Sequence, residues 1–80
     1  MTIVKDVQHL KRLCKDRLVD GCILLQHGAR SSKSIRFDSE SGIFYIYNDI
    51  DDTDQELTEE QLFTESNIGE AINNEAFRLY

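Results

Sequence analysis

Proline is absent from this 80-residue chain, and so is any long apolar run. Without proline there is no stiff proline-rich linker, and the turns must come from Gly, Asn, Asp or Ser. No apolar stretch approaches the roughly 20 residues that span a bilayer. The N-terminal segment is charged from Lys5 onward and lacks the apolar stretch of a secretory signal. These absences predict a soluble, cytoplasmic protein formed by one small domain, residues 1–80.

Cysteine and histidine are also scarce, with two of each. Cys14 and Cys22 are too few for a disulfide framework, and both are predicted to face the core as small apolar side chains. His9 and His27 are not spaced as metal ligands with either cysteine, and no nucleophile motif lies near them. The sequence therefore predicts no metal site, no cofactor and no catalytic residue, and we do not expect an enzyme.

The charges fall into two halves of opposite sign. Residues 1–37 carry eight of the nine Lys and Arg against three acids, a net charge of +5. Residues 38–80 carry twelve acids against Arg78 alone, a net charge of −11, and the whole chain carries −6. Because solvated surfaces usually mix the signs, this segregation predicts one strongly negative face that repels nucleic acid and attracts basic protein surfaces. The sequence leaves open whether folding keeps the halves apart or lets them neutralise each other.

The apolar pattern predicts an α+β fold. Residues 3–18 have the spacing of an amphipathic helix, with Thr2 as its N-cap and the pair Asp20-Gly21 at its end. Three strands are then expected, at residues 22–26, 34–38 and 43–47. We expect the N-terminal helix to pack on this three-stranded antiparallel meander, followed by short helices and a terminal edge strand at residues 76–80.

The starts of the later helices are specified by short local motifs. Thr58 and Gln61 have the spacing of a capping box, and Leu57 and Leu62 occupy the positions of a hydrophobic staple. The pair Ser66-Asn67 resembles a second cap and predicts another short helix directly after it.

A carboxylate-rich segment provides the first candidate site. Residues 48–56 are predicted to form a loop, and with the helix start they supply an acidic face of Asp49, Asp51, Asp52, Asp54, Glu56, Glu59 and Glu60. Such carboxylates can imitate duplex phosphates, so they would bind a basic nucleic-acid-binding protein. One alternative is a calcium loop, although Asp54 stands where that loop needs glycine and a strand precedes it. The other alternative is a solvated loop that keeps the protein soluble.

The second candidate site is a polar segment predicted as a turn, Arg30, Ser31, Ser32 and Lys33. Its two cations and two hydroxyls could hold the phosphate of a nucleotide. The segment lacks the spacing of a Walker loop, so an exposed hairpin turn is the alternative. We expect any ligand pocket here to lie between subunits of an oligomer, because one short chain offers little concavity.

The aromatic residues of the predicted third strand are assigned to its two faces. Phe44 is expected in the core, and Tyr45 and Tyr47 form a half-exposed pair on the other side. Base stacking on this pair is disfavoured because a stacking platform needs basic surroundings and the residues that follow are acidic.

Several short motifs between residues 20 and 77 resemble motifs of known proteins. They are Arg30-Ser31-Ser32-Lys33 followed by Ile35, then Ile50-Asp51-Asp52-Thr53, Gln55, Leu57-Thr58-Glu59, Leu62 and Ser66-Asn67-Ile68. In these motifs the chain resembles small uncharacterised proteins of bacterial phages and prophages. The resemblance implies a compact accessory protein of a mobile element, a setting in which inhibitors of host machinery and antidefence factors are frequent.

Three functional hypotheses follow. The first is a non-enzymatic accessory protein whose acidic, nucleic-acid-mimicking face binds and inhibits a host nucleic-acid-binding protein, including a defence protein. The second is a nucleotide or phosphate binder, or sponge, that uses the Arg30–Lys33 turn. The third is a homodimer that pairs its terminal edge strands. No direct binding to nucleic acid or to a membrane is expected.

Overall fold

The computed structural model describes residues 1–80 as six strands and three short helices. The strands are β1 (Thr2–Ile3), β2 (Val19–Leu24), β3 (Arg30–Asp38), β4 (Ile43–Asn48), β5 (Thr53–Leu57) and β6 (Phe77–Leu79). The helices are α1 (Val7–Leu13), α2 (Gln61–Thr64) and α3 (Ile68–Asn73), and a 3-10 turn (Gln26–Gly28) joins β2 to β3. None of these helices has the length and apolar character needed to cross a membrane.

All six strands form one antiparallel sheet in the order β1-β6-β2-β3-β4-β5. Strands β2 to β5 follow one another as a meander, and the C-terminal β6 returns to insert between β1 and β2. Gly21 makes this insertion possible. A Cβ at that position would lie 2.5 Å from the carbonyl oxygen of Arg78 and 2.6 Å from Cδ2 of Leu79.

The predicted meander is present, but the predicted fold of a helix packed on three strands is wrong. The sheet has six strands, and α1 shares its core with α2 and α3. The segment 48–56, predicted as a loop, contains most of β5, and the C-terminal strand is paired on both sides. The prediction failed because β5 buries one residue, Leu57, and so lacks the apolar pattern of a strand.

The hypothesis of a homodimer through terminal edge strands needs a C-terminal strand with an unpaired edge. Strand β6 pairs with β1 on one side and with β2 on the other, so this mode of dimerisation is not open to it. The edges of the sheet are instead β1, which has two residues, and β5, which has five.

Helix α1 is shorter than predicted and begins later. Its N-cap is Asp6, whose Oδ1 accepts a hydrogen bond from the His9 N–H at 2.8 Å, whereas Thr2 lies in β1. Just beyond the helix, the Cys14 carbonyl accepts from the Phe37 N–H at 2.8 Å. The helix end is thus fixed to β3, and residues 14–18 lead from it into β2.

The capping motifs of the second half are confirmed. The Thr58 N–H donates to Gln61 Oε1 at 2.8 Å, and the Gln61 N–H donates to Thr58 Oγ1 at 3.2 Å. The Ile68 N–H donates to Ser66 Oγ at 3.2 Å at the start of α3. These motifs involve neighbours in sequence, so the sequence alone determines them.

One face of the sheet holds the core, and we call it the covered face. Its cluster of 14 buried residues draws on the sheet and all three helices and comprises Val4, Leu10, Cys14, Ile23, Ile35, Phe44, Ile46, Leu57, Leu62, Ile68, Ala71, Ile72, Phe77 and Leu79. Burial raises the pKa of the Cys14 thiol to about 11, so this cysteine is protonated at neutral pH.

The other side of the sheet, which we call the open face, has no helix packed on it. By strand alternation it presents Cys22, Ser32, Ser34, Arg36, Tyr45, Tyr47, Asp54, Glu56 and Arg78. Both cysteines are free and buried, as predicted, but Cys22 lies on the open face, whereas its neighbour Ile23 belongs to the core cluster. Cys22 is 1% exposed, and its thiol raises the pKa of the Tyr80 hydroxyl nearby.

Candidate interaction surface

Two of the acidic residues, Asp54 and Glu56, lie in a strand at one edge of the sheet, and the others lie in the segments on either side of it. Strand β5 is an edge strand that pairs only with β4. Asp54 is opposite Tyr47, and Glu56 is opposite Tyr45, so both carboxylates project onto the open face. Residues 53–56 are all exposed. Alternation along a strand places these two acids roughly 6.7 Å apart.

The turn between β4 and β5 holds the next group of acids in fixed positions. The Tyr47 hydroxyl donates to Asp52 Oδ1 at 2.6 Å, and Asn48 Nδ2 donates to Asp51 Oδ2 at 3.2 Å. The hydrogen bond from Tyr47 to Asp52 raises the pKa of Tyr47, and so do partial desolvation and the charges of Asp52, Asp49 and Asp54. Three carboxylates, Asp49, Asp52 and Asp54, are close enough to Tyr47 to make this end of the open face negative.

Glu59 and Glu60 extend the acidic residues beyond the other end of β5, just before α2. Glu59 Oε1 forms an ion pair with Lys11 Nζ at 3.1 Å, and this is the one salt bridge in the structure. We use the name acidic edge for the seven acids Asp49, Asp51, Asp52, Asp54, Glu56, Glu59 and Glu60. Because only one of these seven acids is paired with a cation, folding does not neutralise the acidic half of the chain against the basic half.

The calcium-loop alternative does not fit the structure, because the middle of the segment is a strand. Residues Thr53–Leu57 are extended and paired with β4, whereas an EF-hand loop must wrap around its ion. No group of three or more His, Cys, Asp or Glu side chains is arranged to hold a metal ion.

The four residues of the second candidate site lie in β3 and not in a turn. Alternation along the strand places Arg30 and Ser32 on the open face and Ser31 and Lys33 on the opposite side. The structure therefore separates the side chains that the phosphate hypothesis needs together. The Arg30 guanidinium instead lies near the Tyr80 hydroxyl and lowers its pKa, which partly opposes the effect of the Cys22 thiol.

A cleft on the open face borders the acidic edge and was not predicted. It has a volume of about 460 Å³ and is lined by Leu18, Tyr45, Ile46, Tyr47, Asp54, Gln55 and Glu56. The predicted half-exposed pair Tyr45 and Tyr47, which lines this cleft, is confirmed. The cleft itself was missed because Leu18 has the spacing of a helical core residue, yet 63% of it is exposed.

Comparisons with protein-family models, with curated protein sequences and with solved structures found no match. The chemistry of the acidic edge and of the neighbouring cleft therefore provides the basis for inferring a function.

Proposed function

We propose that this protein is a non-enzymatic binding protein whose acidic edge docks on a basic surface of a nucleic-acid-binding protein and blocks it. The observation that supports the proposal is the concentration of seven acids in the edge strand β5 and in the short segments on either side of it. Glu59 alone is paired with a cation. Unpaired carboxylates at an exposed edge attract a positively charged groove and accelerate its association.

The charge spacing sets how closely this edge can imitate nucleic acid. Along β5 the open face carries one carboxylate per roughly 6.7 Å, whereas one strand of duplex DNA carries one phosphate per about 3.4 Å. The strand thus has about half the linear charge density of a DNA strand, and the acids at its two ends extend the charged line. We expect binding that weakens with salt, but less steeply than the binding of the same partner to DNA.

The identity of the partner is part of the proposal. The resemblance to phage and prophage proteins supports a target in the host cell, and nucleic-acid-binding proteins of antiphage defence are the first class to test. Inhibition would be competitive, because the acidic edge and the nucleic acid would occupy the same basic groove.

The test is capture of the partner from a host lysate at low and high salt, followed by competition with nucleic acid. The variant reverses two charges on β5, Asp54→Lys with Glu56→Lys. Its matched control makes the same change in charge elsewhere, Glu65→Lys with Glu70→Lys, since both residues are also exposed.

We expect the unmodified protein and the control to capture one nucleic-acid-binding protein at low salt and to displace its DNA or RNA. The β5 variant should do neither. Capture and displacement that are equal for both variants would disprove the proposal.

A further inference from the structure

The cleft has the chemistry of a site for a cationic side chain. Tyr45 and Tyr47 of β4 line it, together with Asp54 and Glu56 of the neighbouring β5. Aromatic ring faces attract cations, and carboxylates give them charge-assisted hydrogen bonds. Leu18 adds an apolar wall that can pack against the aliphatic part of a long side chain.

The protein itself already places a guanidinium on this surface. Arg36 lies opposite Tyr45 in the sheet, and its Cζ is 4.5 Å from the centroid of the tyrosine ring. Arg36 does not line the cleft, and Tyr47 has no such partner. The Tyr47 ring is held by the hydrogen bond to Asp52, so it is ordered in advance for a ligand.

The backbone of β5 offers a second means of binding beside the cleft. Its hydrogen bonds run to β4, and none of the other backbone bonds of the molecule involves residues 53–56. Alternate N–H and C=O groups of an edge strand point outward, where an extended segment can pair with them. A second copy of β5 is a poor partner, since its Asp54 and Glu56 would meet the same acids.

We propose that β5 pairs with an extended basic segment of the partner, and that an arginine of this segment crosses Asp54 and Glu56 to stack in the tyrosine cleft. An added strand lies about 4.8 Å from β5 and projects every second side chain over the open face. Arginine fits better than lysine because its planar guanidinium both stacks on aromatic rings and binds carboxylates in pairs. This inference rests on the proposed function and narrows the partner to a protein with an extended arginine-containing segment.

Two synthetic peptides of equal composition distinguish the cleft from general charge attraction. One alternates threonine and arginine, with three arginines at every second position. The other has the same three arginines in succession. Titrated into the 80-residue protein, the alternating peptide should bind about fivefold more tightly or better and should shift the NMR signals of the Tyr45 and Tyr47 rings.

Substitutions locate the preference for the alternating peptide. Tyr47→Leu and Leu18→Lys should each remove it, and Leu18→Lys keeps the test valid if Tyr47→Leu fails to fold, because Leu18 is largely exposed. Tyr80→Leu is the matched control, an exposed tyrosine that does not line the cleft, and it should keep the preference.

The outcomes separate this inference from the proposed function. Equal binding of both peptides, or a preference that persists in Leu18→Lys, would overturn the inference that the cleft binds arginine. The proposed function would survive this result if capture of the partner from lysate still required Asp54 and Glu56. If capture of the partner did not require Asp54 and Glu56 either, both the cleft inference and the proposed function would be wrong.

Discussion

The two faces of the sheet are built from the same strands but differ in what they can do. On β4, Phe44 and Ile46 are buried in the core, whereas Tyr45 and Tyr47 are half-exposed beside a cleft. The covered face is closed by three helices, and the open face carries arginines, tyrosines and acids instead. Alternation along each strand thus separates the residues that stabilise the fold from those available for binding, so each set can be altered independently.

The largest expected effect comes from a core aromatic residue. Phe44 is fully buried, and its ring centroid lies 4.7 Å from that of Phe37. Phe44→Ala should lower the free energy of unfolding by about 3–5 kcal/mol, which is a large part of the stability of so short a chain. Tyr45→Ala on the open face should lower it much less. Urea unfolding of both variants measures the difference, and equal losses would refute the division between the faces.

A smaller loss is expected where β6 enters the sheet. Gly21→Ala would bring a methyl group against the Arg78 carbonyl and the Leu79 side chain, and such overpacking costs about 1–3 kcal/mol. Ser32→Ala, on the exposed side of the neighbouring strand, is the control and should change the stability little. Thermal unfolding measures both variants. An unchanged melting temperature in Gly21→Ala would mean that β6 does not pack against β2 as described.

The open face was harder to predict than the covered face for a physical reason. Local motifs such as the Thr58–Gln61 capping box were predictable because both partners lie within one turn of the chain. The position of β6 depends on its pairing with β1 and β2, which are distant in sequence, and three residues carry too little pattern to reveal it. Leu18 coincides with a helical spacing but belongs to the cleft.

The arrangement of the acidic edge was also only partly predictable from the sequence. The sequence identified the seven acids and their exposure, since carboxylates rarely remain buried. It did not reveal that Asp54 and Glu56 share one face, because that depends on the pairing of β5 with β4. The two tyrosines opposite them were correctly assigned to the half-exposed side, yet their meeting with the acids required the register of this pair.

A third prediction concerns the helices that close the covered face. Thr58 and Gln61 hold the entry to α2 by two reciprocal hydrogen bonds. Thr58→Ala removes one of them and should lower the free energy of unfolding by about 1 kcal/mol. Thr64→Ala is the control, since that exposed hydroxyl donates only to the Glu60 carbonyl of its own turn. Urea unfolding that gives equal losses for the two variants would assign no specific role to the cap.

The smallest predicted effect is on the electrostatics of the open face and leaves the fold unchanged. The Tyr47 hydroxyl donates to Asp52, and both this bond and the negative charge favour the protonated phenol, which raises the pKa of Tyr47. Asp52→Asn keeps the size of the side chain and tolerates the φ of 53° at this position.

Removing that charge should lower the pKa of Tyr47 toward its ordinary value, and NMR titration of the ring signals would follow the change. Asp51→Asn, in the same turn but not bonded to Tyr47, is the control and should have a smaller effect. If Asp52→Asn leaves the titration of Tyr47 unchanged, the turn does not impose the negative potential that we expect to draw a cation to the cleft. A lower pKa in Asp52→Asn, together with weaker binding of the alternating arginine peptide, would link the acidic turn to the open face directly.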